Sequence, residues 1–128
     1  MSRENKPLLV CIATLTRRRP KMLEALIRSW SSLKIPDKVS PVFVVIENDD
    51  EEKSKSVIQN LEPLFNKGRL TYALEKEPGI PFARNRAAQE AINISADLLL
   101  FVDDDEEVDI KWLENIITGY RNSDAKLI

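Results

Sequence analysis

Three consecutive aspartates, Asp103-Asp104-Asp105, follow directly on five apolar residues, Leu98-Leu99-Leu100-Phe101-Val102. Neighbouring carboxylates repel by about 1 kcal/mol per pair at ~4 Å in water, and by several times that where water is partly excluded. A bound cation relieves the repulsion, and hard divalent ions such as Mg2+ and Mn2+ prefer oxygen ligands. The apolar run before them predicts a strand buried on both faces. Ligands of open α/β sheets bind just beyond the carboxyl ends of such strands. If the extended geometry persists, Asp103 and Asp105 share one face, about 6.5–7 Å apart at a rise of ~3.3 Å per residue, and Asp104 takes the other. One of the pair then ligates a metal while the other holds a water ligand or a hydroxyl. The competing reading is a solvated acidic loop from Asp103 to Glu107 leading into a helix N-terminus.

A second group lies between Gly79 and Arg86. Gly79 permits a tight approach, and a helix is predicted to open near Pro81. Helix N-termini bind anions through free N–H groups. Arg84 and Arg86 fall in the first two turns, where the macrodipole disfavours cations unless an anion compensates. A diphosphate would do so; pairing with Glu75, Glu77 or Glu90 is the alternative. After another apolar run come Glu47-Asn48-Asp49. An acid there commonly binds a ribose hydroxyl or a base edge, although Asp49 or Asp50 can instead cap a following helix. Arg17-Arg18-Arg19, beside Thr14 and Thr16, could contact phosphate or an acidic acceptor, or sit in a solvated loop.

These residues need elements to position them. Leu8 to Ala13, Val42 to Ile46, Leu70 to Leu74 and Ala96 to Val102 are predicted strands. Between them, Pro20 opens a helix bearing Leu23, Leu26, Ile27, Trp30 and Leu33. Val57, Ile58 and Leu61 mark a second helix. Ala83, Ala87, Ala88, Ala91 and Ile92 give a third a small-residue face. Ile110, Leu113, Ile116, Ile117 and Tyr120 mark a fourth. Strict β–α alternation implies a parallel sheet covered on both faces. Every polar cluster named above then collects on one sheet edge. Trp30, Trp112 and Cys11 read as core residues.

The chain has 128 residues, 43% of them apolar and 31% charged, with a net charge of -2. That is enough for a single domain with one modest core. No basic field suggests nucleic-acid binding. The lone Cys11 forms no internal disulfide, which fits a reducing compartment. Histidine is absent, so Ser-His-Asp and Cys-His catalysis and His-ligated zinc are excluded within this chain. No apolar stretch approaches the ~20 residues needed to span a bilayer.

The combination resembles the nucleotide-sugar-binding half of the family 2 glycosyltransferases. The resemblance rests on Thr14-Leu15-Thr16-Arg17, Val45-Ile46-Glu47-Asn48-Asp49, Gly79-Ile80-Pro81-Phe82-Ala83-Arg84-Asn85, the Asp-x-Asp element Asp103-Asp104-Asp105, and Trp112-Leu113. It implies a three-layer, Rossmann-like GT-A fold with a mostly parallel sheet. Thr14 is expected to line the nucleotide pocket. Glu47, where the family often has Asp, is expected to contact the uracil or ribose. Arg84 is expected near the nucleotide or its phosphates, and Asp103 on ribose or a metal-bound water. Asp105 is expected to ligate Mg2+ or Mn2+ on the diphosphate. Thr16, Arg17, Asn48, Asp49, Gly79 and Asp104 complete the expected nucleotide-sugar-binding set. The implied reaction is inverting transfer from a nucleoside-diphosphate sugar, a UDP-sugar favoured, to a polysaccharide or lipid-linked glycan.

Family catalytic domains are about twice this length. Residues 1–128 are therefore expected to be one donor-binding domain, the N-terminal fragment of a longer chain. The general base is then expected beyond Ile128, and Asp124 to Ile128 as the approach to another strand. The supply of nucleotide sugars points to the cytoplasm, with contact to the inner membrane surface in the longer protein. A non-catalytic nucleotide- or metal-binding module is the main rival. Phosphoryl-transfer folds of the haloacid-dehalogenase or receiver type fit poorly, because the first strand ends in Thr14-Leu15-Thr16 rather than in acids.

Overall fold

The apolar runs at Leu8 to Ala13 and Val42 to Ile46 are the two central strands of a single sheet, which is why they are apolar on both faces. The computed structural model describes residues 6–65 and 69–123. In order these form β1 (Leu8–Thr16), α1 (Pro20–Ser31), β2 (Val39–Glu47), α2 (Lys55–Leu61), β3 (Arg69–Leu74), α3 (Ile80–Asn93), β4 (Leu98–Phe101) and α4 (Trp112–Arg121). The strands are all parallel, in the order β3-β2-β1-β4. Helices cover both faces, as the alternation predicts. The expected strand at Asp124 to Ile128 lies outside the described residues.

Side-chain alternation divides the core in two. Val10, Ile12, Phe43, Val45, Leu100 and Val102 face α1, α2 and α4, where Trp30 stacks on Phe43 at 5.2 Å. Cys11, Ala13, Val42, Val44 and Ile46 face α3, which presents Ala83, Ala87 and Ala91. Alanines at this spacing let α3 lie close to the sheet. Burial, and secondarily the charge of Glu90, pushes the Cys11 thiol up to about 11, so it stays protonated and inert at neutral pH.

Besides Leu33 and the exposed Ile110, which fall just outside α1 and α4, four details differ from expectation. First, β1 continues through Thr14 to Thr16, because these residues keep pairing with Val45, Ile46 and Glu47. Second, β4 pairs only with β1, so among the described residues it is an edge strand, and Phe101 is 42% exposed. Third, Ile92 is exposed, one residue beyond the buried Ala91 and therefore about 100° off the stripe. Fourth, α2 begins at Lys55 with Ser54 before it and no side-chain cap. Asp49 and Asp50 lie too far upstream to cap it.

Candidate functional site

The carboxyl ends of the strands surround one cavity of about 550 Å³. The β1–α1 segment contributes Leu15, Thr16, Arg17 and Arg19, and the end of β2 contributes Asn48. Gly79, Ile80, Ala83 and Arg84 come from the start of α3. Phe101 to Asp105 form the opposite wall. Eight of the expected residues therefore meet: Thr16, Arg17, Asn48, Gly79, Arg84, Asp103, Asp104 and Asp105. Thr14, Glu47 and Asp49 do not line this cavity.

The three aspartates divide their work. The strand ends at Phe101, and the chain turns, with the Glu106 N–H donating to the Asp103 carbonyl at 3.1 Å. This overturns the extended spacing expected for Asp103 and Asp105. Carboxylate oxygens of Asp103, Asp105 and Glu106 lie within 4.8 Å of one another, all three side chains exposed. Glu106 is thus a third acid that strand alternation could not supply. Partial desolvation, a hydrogen bond with Asp103 and repulsion by Asp103 and Asp105 hold its carboxyl above the usual range. An all-carboxylate donor set fits a hard divalent cation. Asp104 instead turns inward and is 7% exposed. It accepts from Thr16 Oγ1 at 3.0 Å and from Arg19 Nη1 at 3.3 Å. Both of its oxygens are engaged in anchoring the aspartate loop to β1.

On the facing wall, Gly79 has φ +127° and ψ 144°, a conformation essentially restricted to glycine. It lets the chain turn from β3 into α3, so that Gly79, Ile80, Ala83 and Arg84 line the cavity. Gly79→Ala is expected to lower stability by about 1–3 kcal/mol through backbone strain alone, read as a lower urea midpoint. An added Cβ would meet nothing nearer than 3.5 Å, so a neutral result would refute the strain argument. The two arginines part company, since positions i and i+2 of a helix point to different sides. Arg86 pairs with Glu90 at 3.2 Å and donates to the Leu74 carbonyl at 3.1 Å. Arg84 pairs with no acid among the described residues; its guanidinium lies 5.5 Å over the exposed Phe101 ring.

Of the expected ligands outside the cavity, Glu47 and Asp49 have other partners. Glu47 is 0% exposed. It accepts from Tyr72 Oη at 2.5 Å and from the Ser54 N–H at 2.9 Å. Thr14 is also fully buried, on the same sheet face. Asp49 binds Arg18 at 3.3 Å and Lys53 at 3.4 Å, and accepts the Asp50 N–H. The Asp50 N–H and the Arg18 guanidinium hold its carboxyl well below the usual carboxylate range, against the effect of burial. Such a depressed group adds stability above its unfolded value near 3.9 and loses it as pH falls toward the folded value. Stability should therefore drop below about pH 4, and Asp49→Asn should shrink the difference between urea midpoints at pH 5 and pH 3. An equal difference in the variant would show that other carboxylates dominate.

Comparisons with known proteins bear on the family and the fold. Residues 9–128 match the family model described as glycosyl transferase family 2. The chain is 30% identical over 124 residues to the succinoglycan biosynthesis protein ExoM of Rhizobium meliloti (strain 1021), covering 97% of this chain and 38% of that protein. It therefore spans well under half the length of this curated relative. Among solved structures, the mannosyltransferase PcManGT from Pyrobaculum calidifontis, in complex with GDP-Man and Mn2+, superposes with a TM-score of 0.76 at 19% identity. That match covers 91% of this chain and 33% of that one. TarS of S. aureus, in complex with UDP-GlcNAc, gives 0.69 at 19% identity over 88% of this chain and 31% of that one. At such identities the structural likeness shows the GT-A fold alone, whereas the family model spans nearly the whole sequence. The chain belongs to glycosyl transferase family 2.

Proposed function

We propose that this chain is the donor-binding part of a metal-dependent glycosyltransferase. It binds a nucleoside-diphosphate sugar, a UDP-sugar favoured, for inverting transfer to a polysaccharide or lipid-linked glycan. One observation carries the reading. A single cavity is lined by Asp103 and Asp105, whose carboxylates cluster with that of Glu106, and by the start of α3 with Arg84. The two walls answer the two halves of such a donor. Acids on one side would hold a divalent cation, Mg2+ or Mn2+. The Arg84 guanidinium, with the Ile80 N–H at the start of α3, would hold diphosphate oxygens on the other. When bound, the cation would act as a Lewis acid on the departing nucleoside diphosphate.

The side chains of the protein supply the frame. Asp104 and Thr16 fix the loop that presents the acids, and Gly79 fixes the helix start. Arg17, exposed at the mouth, adds positive charge where the phosphates would lie. The relatives support this assignment: one solved neighbour holds GDP-Man with Mn2+, another UDP-GlcNAc, and the curated relative is named for succinoglycan biosynthesis. Among the described residues no helix is long and apolar enough to cross a membrane.

The test is a calorimetric titration of the chain with UDP and with GDP, each with and without Mn2+. Binding that requires Mn2+ is expected, tighter for UDP. Binding that ignores the metal would remove the acids from the site, and tighter GDP binding would reverse the base preference.

A further inference from the structure

Asn48 stands at the end of β2, on the cavity wall, where a contact to the nucleotide is the natural expectation. Its hydrogen bonds point elsewhere. Nδ2 donates to the Glu75 carbonyl at 2.9 Å and to the Glu77 carbonyl at 2.8 Å. Oδ1 accepts the Gly79 N–H at 3.1 Å. Its backbone N–H donates to the Thr16 carbonyl at 2.9 Å. A side-chain amide has two N–H donors, and both are used. The amide's orientation follows from its partners, since turning it over would set its oxygen against two carbonyls. Asn48 therefore has no donor left for a base or a ribose.

We propose that Asn48 is a positioning residue, whose side chain holds the segment from Glu75 to Gly79 and so fixes the start of α3 against the aspartate wall. The connections run across the mouth of the cavity. Arg19 donates to Asp104, and Thr16 donates to Asp104. The Thr16 carbonyl accepts from Asn48, and Asn48 grips the Gly79 segment. The loop bearing Asp105 and the start of α3, which bears Arg84, are thus tied through one chain of hydrogen bonds. Without the Asn48 amide, the β3–α3 segment would keep only the Glu75 N–H bond to the Glu47 carbonyl among its described ties to the end of β2. The α3 terminus and Arg84 would then lose their fixed distance from the acids. This inference rests on the cavity being a donor site, and its test separates the two.

The experiment uses the chain with Asn48→Ala, Asn48→Asp, Arg84→Ala, and Asn48→Ala combined with Arg84→Ala. Amide hydrogen exchange of Gly79 is followed by NMR, and UDP affinity in Mn2+ by calorimetry. In Asn48→Ala the Gly79 amide should exchange about tenfold faster, as expected for one lost hydrogen bond. The Ile12 and Val44 amides of the central strands should be unchanged. UDP affinity should fall about tenfold, and the double variant should lose less than the sum of the single losses. Asn48→Asp, which keeps an acceptor for Gly79 but no donors, should also weaken binding. Weakened UDP binding with Gly79 exchange unchanged would make Asn48 a direct nucleotide contact and overturn the proposal. Strict additivity with Arg84→Ala would do the same. If the unaltered chain binds no UDP, the donor reading fails, while the exchange rates still decide whether Asn48 holds the loop.

Discussion

Asp105→Ala is expected to remove the Mn2+-dependent part of UDP binding, weakening it by at least a hundredfold. The figure follows from comparison. Losing an outer partner of a metal ligand typically costs 10–100-fold in metal affinity, and loss of a ligand itself should cost no less. Asp105 is exposed, and its one described ion pair is a 3.9 Å approach to Arg19. Its removal should therefore change stability by no more than about 0.5 kcal/mol, so a binding defect cannot be ascribed to unfolding. Asp104→Ala makes the contrast. It leaves the Thr16 hydroxyl and the Arg19 guanidinium without their carboxylate, and should lower stability by about 1–3 kcal/mol. The adjacent aspartates would thus give opposite signatures, one seen by calorimetry and the other by urea unfolding. Undiminished Mn2+-dependent binding in Asp105→Ala would refute the metal assignment.

That contrast shows what the sequence makes legible. Continuous apolar runs mark β1 and β2, and the Ala83, Ala87, Ala91 spacing marks the packed side of α3, because burial on a regular element imposes a period. The gathering of the polar clusters on one edge follows from β–α alternation alone. Periodicity stops where the elements stop. Beyond Phe101 the chain turns, so no strand rule could bring Asp105 and Glu106 within 4.8 Å of Asp103. Asp49 reads locally as a helix cap, yet Arg18, 31 residues away in sequence, takes it instead. Thr16 looks like a loop residue until parallel pairing with Glu47 holds it in β1. Each of these depends on a partner distant in the chain, which local spacing does not encode.

Glu47 is the clearest such case. A strand-end acid invites assignment to the ribose or base, but alternation along β2 turns it the way of Phe43 and Val45, toward α2. There its Oε1 accepts both the Tyr72 hydroxyl and the Ser54 N–H just before α2. Burial, together with the hydrogen bond and charge of Glu47, holds the Tyr72 phenol above its ordinary value. Glu47→Ala would leave that hydroxyl and N–H unsatisfied and open a cavity beside them. Stability should fall by about 3–5 kcal/mol, the sum of an unmade pair of hydrogen bonds and a partly relaxed void. Glu47→Gln keeps an oxygen in place for both donors and nearly the same volume, so its loss should be about 1 kcal/mol. Its added amide N–H2 would replace Oε2, which has no partner among the described residues. UDP affinity in Glu47→Gln should match that of the unaltered chain. Urea unfolding and the Mn2+–UDP titration, run on the same variants, decide between the roles. A stable Glu47→Gln that no longer binds UDP would make the buried carboxyl a ligand contact after all, reached by a rearrangement of β2 and α2. Full affinity with reduced stability in Glu47→Ala would establish it as the polar anchor that holds α2 and β3 to the end of β2.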